Sequence, residues 1–288
     1  MLATTDATTP YAISFTERLA KMAAKPKLDV QVCDHCNLRC AGCLHFAPLA
    51  EERFLDVDEY ERDLQRLAAV EGIQSYFGFV TLMGGEPLLH PRLPDVVRVT
   101  RAHLPEEVII LCTNGLLLKR MGDDFWHTLV ACDVGLLISP YPLHVDYEGL
   151  AAYARTKGAR VDFAADITNT ARGKEAFLRL ALDPRGTCDQ TQSFVSCPFG
   201  GSYLQLARGA IWPCQVSAHH GSFAQRFDYD MHDDPDDSLP LASIASTDDI
   251  ETFRRRSHPM CRYCDNEALT VTPWERSQLS AAEWLSPR

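Results

Sequence analysis

From Leu28 onward the chain alternates short, nearly continuous apolar runs with amphipathic stretches, and that alternation limits the fold more than any other feature. The strand candidates are 28–32, 76–83, 108–112, 134–139 and 160–164. Runs with little polar interruption suit strands covered on both faces. Helical spacing falls between them. Asp56 is placed to cap a helix, with Glu59 three positions on and an apolar stripe of Val57, Tyr60, Leu64 and Leu67. Further helices fit 93–103, 123–131, 147–156 and 174–182. Repeated β-α units imply a parallel sheet with right-handed crossovers. The expected class is therefore α/β, an open or closed barrel with its chemistry at the carboxyl ends of the strands.

Two segments stand outside this rhythm. Residues 1–24 read as a polar tail and a short helix at 15–24, ended by Lys25-Pro26-Lys27. After about residue 190 the alternation stops. Residues 203–207 and 210–213 then fit a hairpin around Arg208-Gly209, and a capped helix at 247–255 leads into Cys261-Arg-Tyr-Cys264. Residues 25–190 are thus expected to form the core and 191–288 a smaller α+β unit. Between Asp228 and Asp237 lie six aspartates and one proline. They lack ordered ligand spacing, which favours a solvated loop over a calcium loop.

Charge narrows the partners. Against 28 basic side chains stand 39 acidic ones, a net charge of -11, which weighs against a large nucleic-acid footprint or an anionic membrane partner. No run approaches the ~18 uninterrupted apolar residues of a membrane span. The first six residues lack the basic start and apolar core of a secretory signal. The expected compartment is a reducing cytoplasm, where eleven cysteines read as metal ligands or reactive thiols rather than as disulfides.

Four of those thiols form the run Cys33-Asp-His-Cys36-Asn-Leu-Arg-Cys40-Ala-Gly-Cys43, directly after the first strand. Zinc ribbons usually separate two CxxC knuckles by about 15 residues, so that each makes its own turn. In this run the pairs are too close for that. Cys36, Cys40 and Cys43 can instead wrap three irons of one cubane, whose usual ligands are thiolates, and leave the fourth iron open.

The spacing CxxxCxxC after the first strand resembles the radical S-adenosylmethionine enzymes. That resemblance implies a partial (β/α)6 TIM-like barrel and a [4Fe–4S] cluster whose open iron chelates S-adenosylmethionine. Reductive cleavage would then give a 5′-deoxyadenosyl radical that abstracts a hydrogen atom from substrate, with the protein binding and orienting the reactants. Met83-Gly84-Gly85-Glu86-Pro87 after the second strand matches the family's GGE motif, so Gly84, Gly85 and Glu86 are expected to bind the methionine part of the cofactor. Glycines let the backbone approach a ligand closely. Asn114, in Thr113-Asn114-Gly115, and Ser139 end the next two strands and are expected to face the same cofactor. The chain departs from the family at Gly42, where an aromatic residue usually packs near adenine; Phe46 or His45 is expected to replace it. Cys33 is assigned no ligand role.

The second set is Cys197, Cys214, Cys261 and Cys264, two thiols flanking the hairpin and a later CxxC. Four thiolates accept either zinc or iron–sulfur. The arrangement is similar to a twitch domain, a shortened SPASM domain of the butirosin-pathway aminocyclitol dehydrogenase type, which implies an auxiliary [4Fe–4S] cluster. Cys112, Cys132 and Cys188 remain. Cys188, near the junction of the two regions, is the candidate hydrogen-atom donor, with a buried structural thiol as its alternative. His219-His220 is a further candidate substrate contact.

The resemblance implies an oxidation or epimerisation of a small polar molecule such as a sugar, aminocyclitol or nucleotide sugar, fed by a flavodoxin- or ferredoxin-type electron donor. Two alternatives stay open: maturation of a ribosomally made peptide, and a non-catalytic iron–sulfur or zinc protein.

Overall fold

The computed structural model describes residues 9–10, 24–164 and 176–287. Its strands are β1 (Thr9–Pro10), β2 (Lys27–Cys33), β3 (Val80–Gly84), β4 (Ile109–Thr113), β5 (Gly135–Ile138), β6 (Arg160–Phe163), β7 (Ala176–Arg179), β8 (Tyr203–Ala207), β9 (Ala210–Trp212), β10 (Leu239–Pro240) and β11 (Thr270–Pro273). The α-helices are α1 (Val57–Ala68), α2 (Leu93–His103), α3 (Asp123–Ala131), α4 (Tyr147–Thr156), α5 (Gln190–Ser196), α6 (Gln215–His219), α7 (Gly221–Phe227) and α8 (Thr247–Arg254).

The main sheet runs β10-β9-β8-β2-β3-β4-β5-β6. Every pairing from β8 through to β6 is parallel, giving the six-strand α/β arrangement that the alternation implies. One side chain in two faces the helices. Leu28, Val30, Val32, Val80, Leu82, Leu204 and Leu206 pack there with Leu64 and Leu67 of α1 and Val96 and Val97 of α2. Asp29, Gln31, Thr81 and Gln205 alternate with them and so take the other face, where they are buried as well. Apolar composition alone hides this polar inner face.

Helix α1 begins where the cap was expected: the Asp56 carboxylate accepts from the backbone N–H of Asp58 (3.0 Å) and Glu59 (2.9 Å). The ranges expected for α2, α3 and α4 hold, and α8 ends one residue early. The hairpin turn is built from Arg208 (φ 53°) and Gly209 (φ 70°), both left-handed, a form that matches the twist of the strands it joins.

Three expectations change. The strand expected at 76–83 begins only at Val80; Ser75 is left-handed (φ 58°), and Tyr76 and Phe77 close a packed turn ahead of it. The expected helix at 174–182 is instead β7, paired antiparallel with β11 (Leu178↔Val271). A short apolar run fits either period, and the partner strand decides. The aspartate-rich stretch is not simply solvated: the buried Asp237 carboxylate accepts from the backbone N–H of Met260 (2.6 Å) and of Asp234 (3.0 Å). The helix expected at 15–24 lies almost wholly outside the described residues.

The first hairpin strand, β8, pairs with β2 (Lys27↔Tyr203, Val30↔Leu206), so the main sheet continues beyond residue 190. A second core gathers Phe46, Leu178, Leu180, Phe223, Met260 and Trp284 beside the β1-β11-β7 sheet. Among the described residues no helix is long and apolar enough to cross a membrane.

Candidate active site

Strand β2 ends at Cys33, and the cysteine loop leaves from the carboxyl end of the sheet. Gly84 and Gly85 end β3 directly against that loop. A Cβ on Gly85 would sit 1.9 Å from the His35 carbonyl oxygen, and one on Gly84 2.5 Å from that of Cys33. Such distances are reached only without a side chain, so the two glycines first serve to seat the cysteine loop.

Glu86 is fully enclosed. Its carboxylate accepts from Leu88 N (3.0 Å), the Thr113 hydroxyl (2.5 Å) and Asn114 N (2.9 Å). Burial raises its pKa to about 7, partly opposed by these donors. Glu86 therefore clamps the end of β3 to the end of β4. Asn114 turns to the cysteine loop, its Nδ2 donating to Asn37 Oδ1 (2.6 Å) and lying 3.8 Å from Cys36 Sγ. Ser139 is buried at the end of β5, where its N–H donates to Thr113 O (2.8 Å) and its hydroxyl lies 3.8 Å from Cys112 Sγ. All these groups thus meet at one end of the sheet. A cavity of about 430 Å³ at the opposite end, lined by Pro26, Gln74, Tyr76, Glu251 and Arg255, holds none of them.

Cys40 is buried, and Cys36 and Cys43 are half-buried. Burial pushes the Cys36 and Cys43 thiols up. The negative field of Cys43 and Cys40 adds to the rise of the Cys36 thiol, and that of Cys36, Cys40, Cys43 and Cys112 to the rise of the buried Tyr141 hydroxyl. Each sulfur meets N–H donors: Leu38 N to Cys36 (3.3 Å), the Trp274 indole to Cys40 (3.1 Å), and the backbone of Ala47, His45 and Phe46 to Cys43. Among the described residues no three His, Cys, Asp or Glu side chains are grouped for one metal ion. The donor chemistry, three thiols on one loop with N–H groups aimed at their sulfurs, fits an iron–sulfur cluster.

The C-terminal segment returns to this loop, which sequence patterning did not show. Ala41 N donates to Glu275 O (3.0 Å), Ser277 N to Arg39 O (2.8 Å) and the Trp284 indole to Cys43 O (3.0 Å). Gly42 (φ 64°) would place a Cβ 3.2 Å from Glu283 O. A side chain there would be strained by the left-handed backbone and tight against the returning chain. The Phe46 ring, expected near adenine, is fully buried in the second core against Phe223 and Trp284.

On the inner face of the sheet lies a buried polar chain. Asp29 accepts from the amides of Gln205 (3.3 Å) and Gln215 (3.1 Å), and burial raises its pKa to about 6. His219 Nε2 lies 3.4 Å from Gln205 Oε1, and its ring centroid 5.9 Å from that of His45. His45 Nδ1 pairs with Gln31 Oε1 (2.7 Å), and burial lowers this imidazole to about 4. Residues 215 and 219 lie one turn apart on α6, which is capped by Cys214 and so ties the second thiol set to this face of the sheet. The Asp29 chain had no sequence signature, because its members are far apart along the chain.

In the second set, burial pushes the Cys264 thiol up and the negative field of Cys214, Cys261, Cys197 and Cys188 adds to the rise; Cys188 N donates to Arg262 O (3.1 Å). Phe199 N donates to Cys197 Sγ (3.4 Å) and Ser217 N to Cys214 Sγ (3.5 Å). Cys188 thus sits beside this set.

Residues 30–145 match a family of 4Fe-4S single cluster domains. The GTP 3′,8-cyclase of Chlorobaculum tepidum is 36% identical over 94 residues, 33% of this chain and 27% of that protein. The cyclase of Heliobacterium modesticaldum is 39% identical over 100 residues, 34% of this chain and 29% of that protein. The chain thus spans under a third of the length of the curated relatives it matches. The solved structure of BtrN in complex with AdoMet and 2-DOIA shares the fold, with a TM-score of 0.50 at 17% identity over 85% of this chain and 94% of that one. The cluster-domain match over the cysteine loop, the partial likeness to the cyclases and the shared fold agree with one another and with the resemblance to the radical S-adenosylmethionine enzymes.

Proposed function

We propose that this chain is a radical S-adenosylmethionine enzyme acting on a small polar substrate held on the inner face of the sheet. Cys36, Cys40 and Cys43 would hold a [4Fe–4S] cluster, with S-adenosylmethionine on the open iron. When bound, they would supply the one-electron chemistry that removes a hydrogen atom from substrate. The residues around them bind and orient. Gly84, Gly85 and Asn114 shape the surface that receives the methionine moiety, and Ser139 adds a hydroxyl at the end of β5. The Glu86 side chain is engaged within the protein, so it serves by fixing Thr113 and Asn114.

The observation that carries this reading is the buried polar chain from Asp29 to His219 between the two thiol sets. A sheet face with no polar ligand to meet would bury apolar groups at lower cost. Neutral amides and imidazoles suit a hydroxyl-bearing substrate of the sugar or aminocyclitol kind, undergoing oxidation or epimerisation. Cys197, Cys214, Cys261 and Cys264 would hold an auxiliary [4Fe–4S] cluster on a twitch-like unit at 191–288, beside a core at 25–190. A flavodoxin- or ferredoxin-type donor in the cytoplasm would deliver the electron.

A panel of deuterated sugars and cyclitols tests the substrate class. Deuterium appearing in 5′-deoxyadenosine identifies the substrate and the carbon attacked. Transfer only from a peptide would replace this reading with peptide maturation.

A further inference from the structure

We infer that Trp274, carried on the returning C-terminal segment, sets the reduction potential of the cluster at Cys36, Cys40 and Cys43. This rests on the cluster assignment above. The Trp274 indole N–H donates to Cys40 Sγ at 3.1 Å across 234 positions of sequence. Cys40 is buried, so water cannot readily replace that donor. The contact is not incidental to a loose tail. Cys40 and Arg276 form an antiparallel bridge, flanked by the Ala41–Glu275 and Ser277–Arg39 backbone bonds, which fix Trp274 two residues from the bridge. The ring also lies 6.0 Å from that of Tyr141.

The sign follows from charge. Reduction adds negative charge to the cluster and its sulfur ligands. An N–H aimed at a ligand sulfur stabilises that added charge and raises the potential. Gly42 belongs to the same arrangement, since its missing side chain leaves room for Glu283 O. The chain thus has a small residue on the loop and an indole donor arriving from its far end. Trp274 is a positioning residue, because it acts through Cys40.

The test is an anaerobic potentiometric titration followed by electron paramagnetic resonance, on the signal that changes when S-adenosylmethionine is added. Trp274→Phe keeps the ring and removes the N–H. We expect the reduction equilibrium to fall about tenfold, a shift of ~59 mV to more negative potential for one electron. Trp284→Phe, which removes the donor to the Cys43 carbonyl, should leave the potential unchanged. Equal potentials in wild type and Trp274→Phe, or equal shifts in both variants, overturn the inference and leave the cluster assignment standing. Wild-type protein that takes up no cluster overturns both. Should Trp274→Phe alone fail to load, Trp274→His returns an N–H: recovered loading supports the inference, and continued failure overturns it.

Discussion

Gly85 and Asp29 show how single positions constrain this site. A Cβ at Gly85 meets a backbone carbonyl at 1.9 Å, and no rotamer change relieves it. We expect Gly85→Ala to lower stability by about 3 kcal/mol or more, at the upper end of overpacking costs, and to reduce iron uptake. Urea midpoints and iron counts check this, and a wild-type midpoint contradicts it. For Asp29, the folded pKa of about 6 lies above the ordinary 3.8 because of burial. The stability gained by its protonated form is full below about 4 and is lost as pH rises through about 6. Asp29→Asn removes that dependence. The variant should match wild type near pH 4 and gain on it by up to about 3 kcal/mol at pH 8. A stability difference that does not change with pH would falsify the assignment of a strained carboxylate.

At the scale of elements, local signals worked where one segment suffices. The Asp56 cap, the α1 stripe and the Arg208-Gly209 turn are each written in a few adjacent residues. Asp56→Ala removes the acceptor of two N–H groups and should cost about 1 kcal/mol in denaturant titration, with no change in iron content. Signals failed where a distant partner decides. Residues 176–179 became a strand because β11 pairs with them, and Phe46 went to the second core because Phe223 and Trp284 wait there. The cysteine loop was legible because its spacing is local. The returning Trp274 and the Asp29 chain were not, since no period links residue 40 to 274 or 29 to 205 and 215.

For the whole molecule, two thiol sets share one sheet. The first leaves the end of β2, and the second reaches the sheet through β8 and through α6, which Cys214 caps. If each set holds its own cluster, Cys261→Ala with Cys264→Ala should halve the iron from about eight to about four per chain and leave the first cluster in place. Loss of all iron would show that the sets are not independent. The most direct measurement is product formation in anaerobically reconstituted protein supplied with dithionite and S-adenosylmethionine. We expect 5′-deoxyadenosine from the wild type and none from Cys36→Ala, Cys40→Ala or Cys43→Ala. Absence of that nucleoside from fully loaded wild type, or its persistence in the three variants, would contradict the cluster-binding role of the cysteine loop.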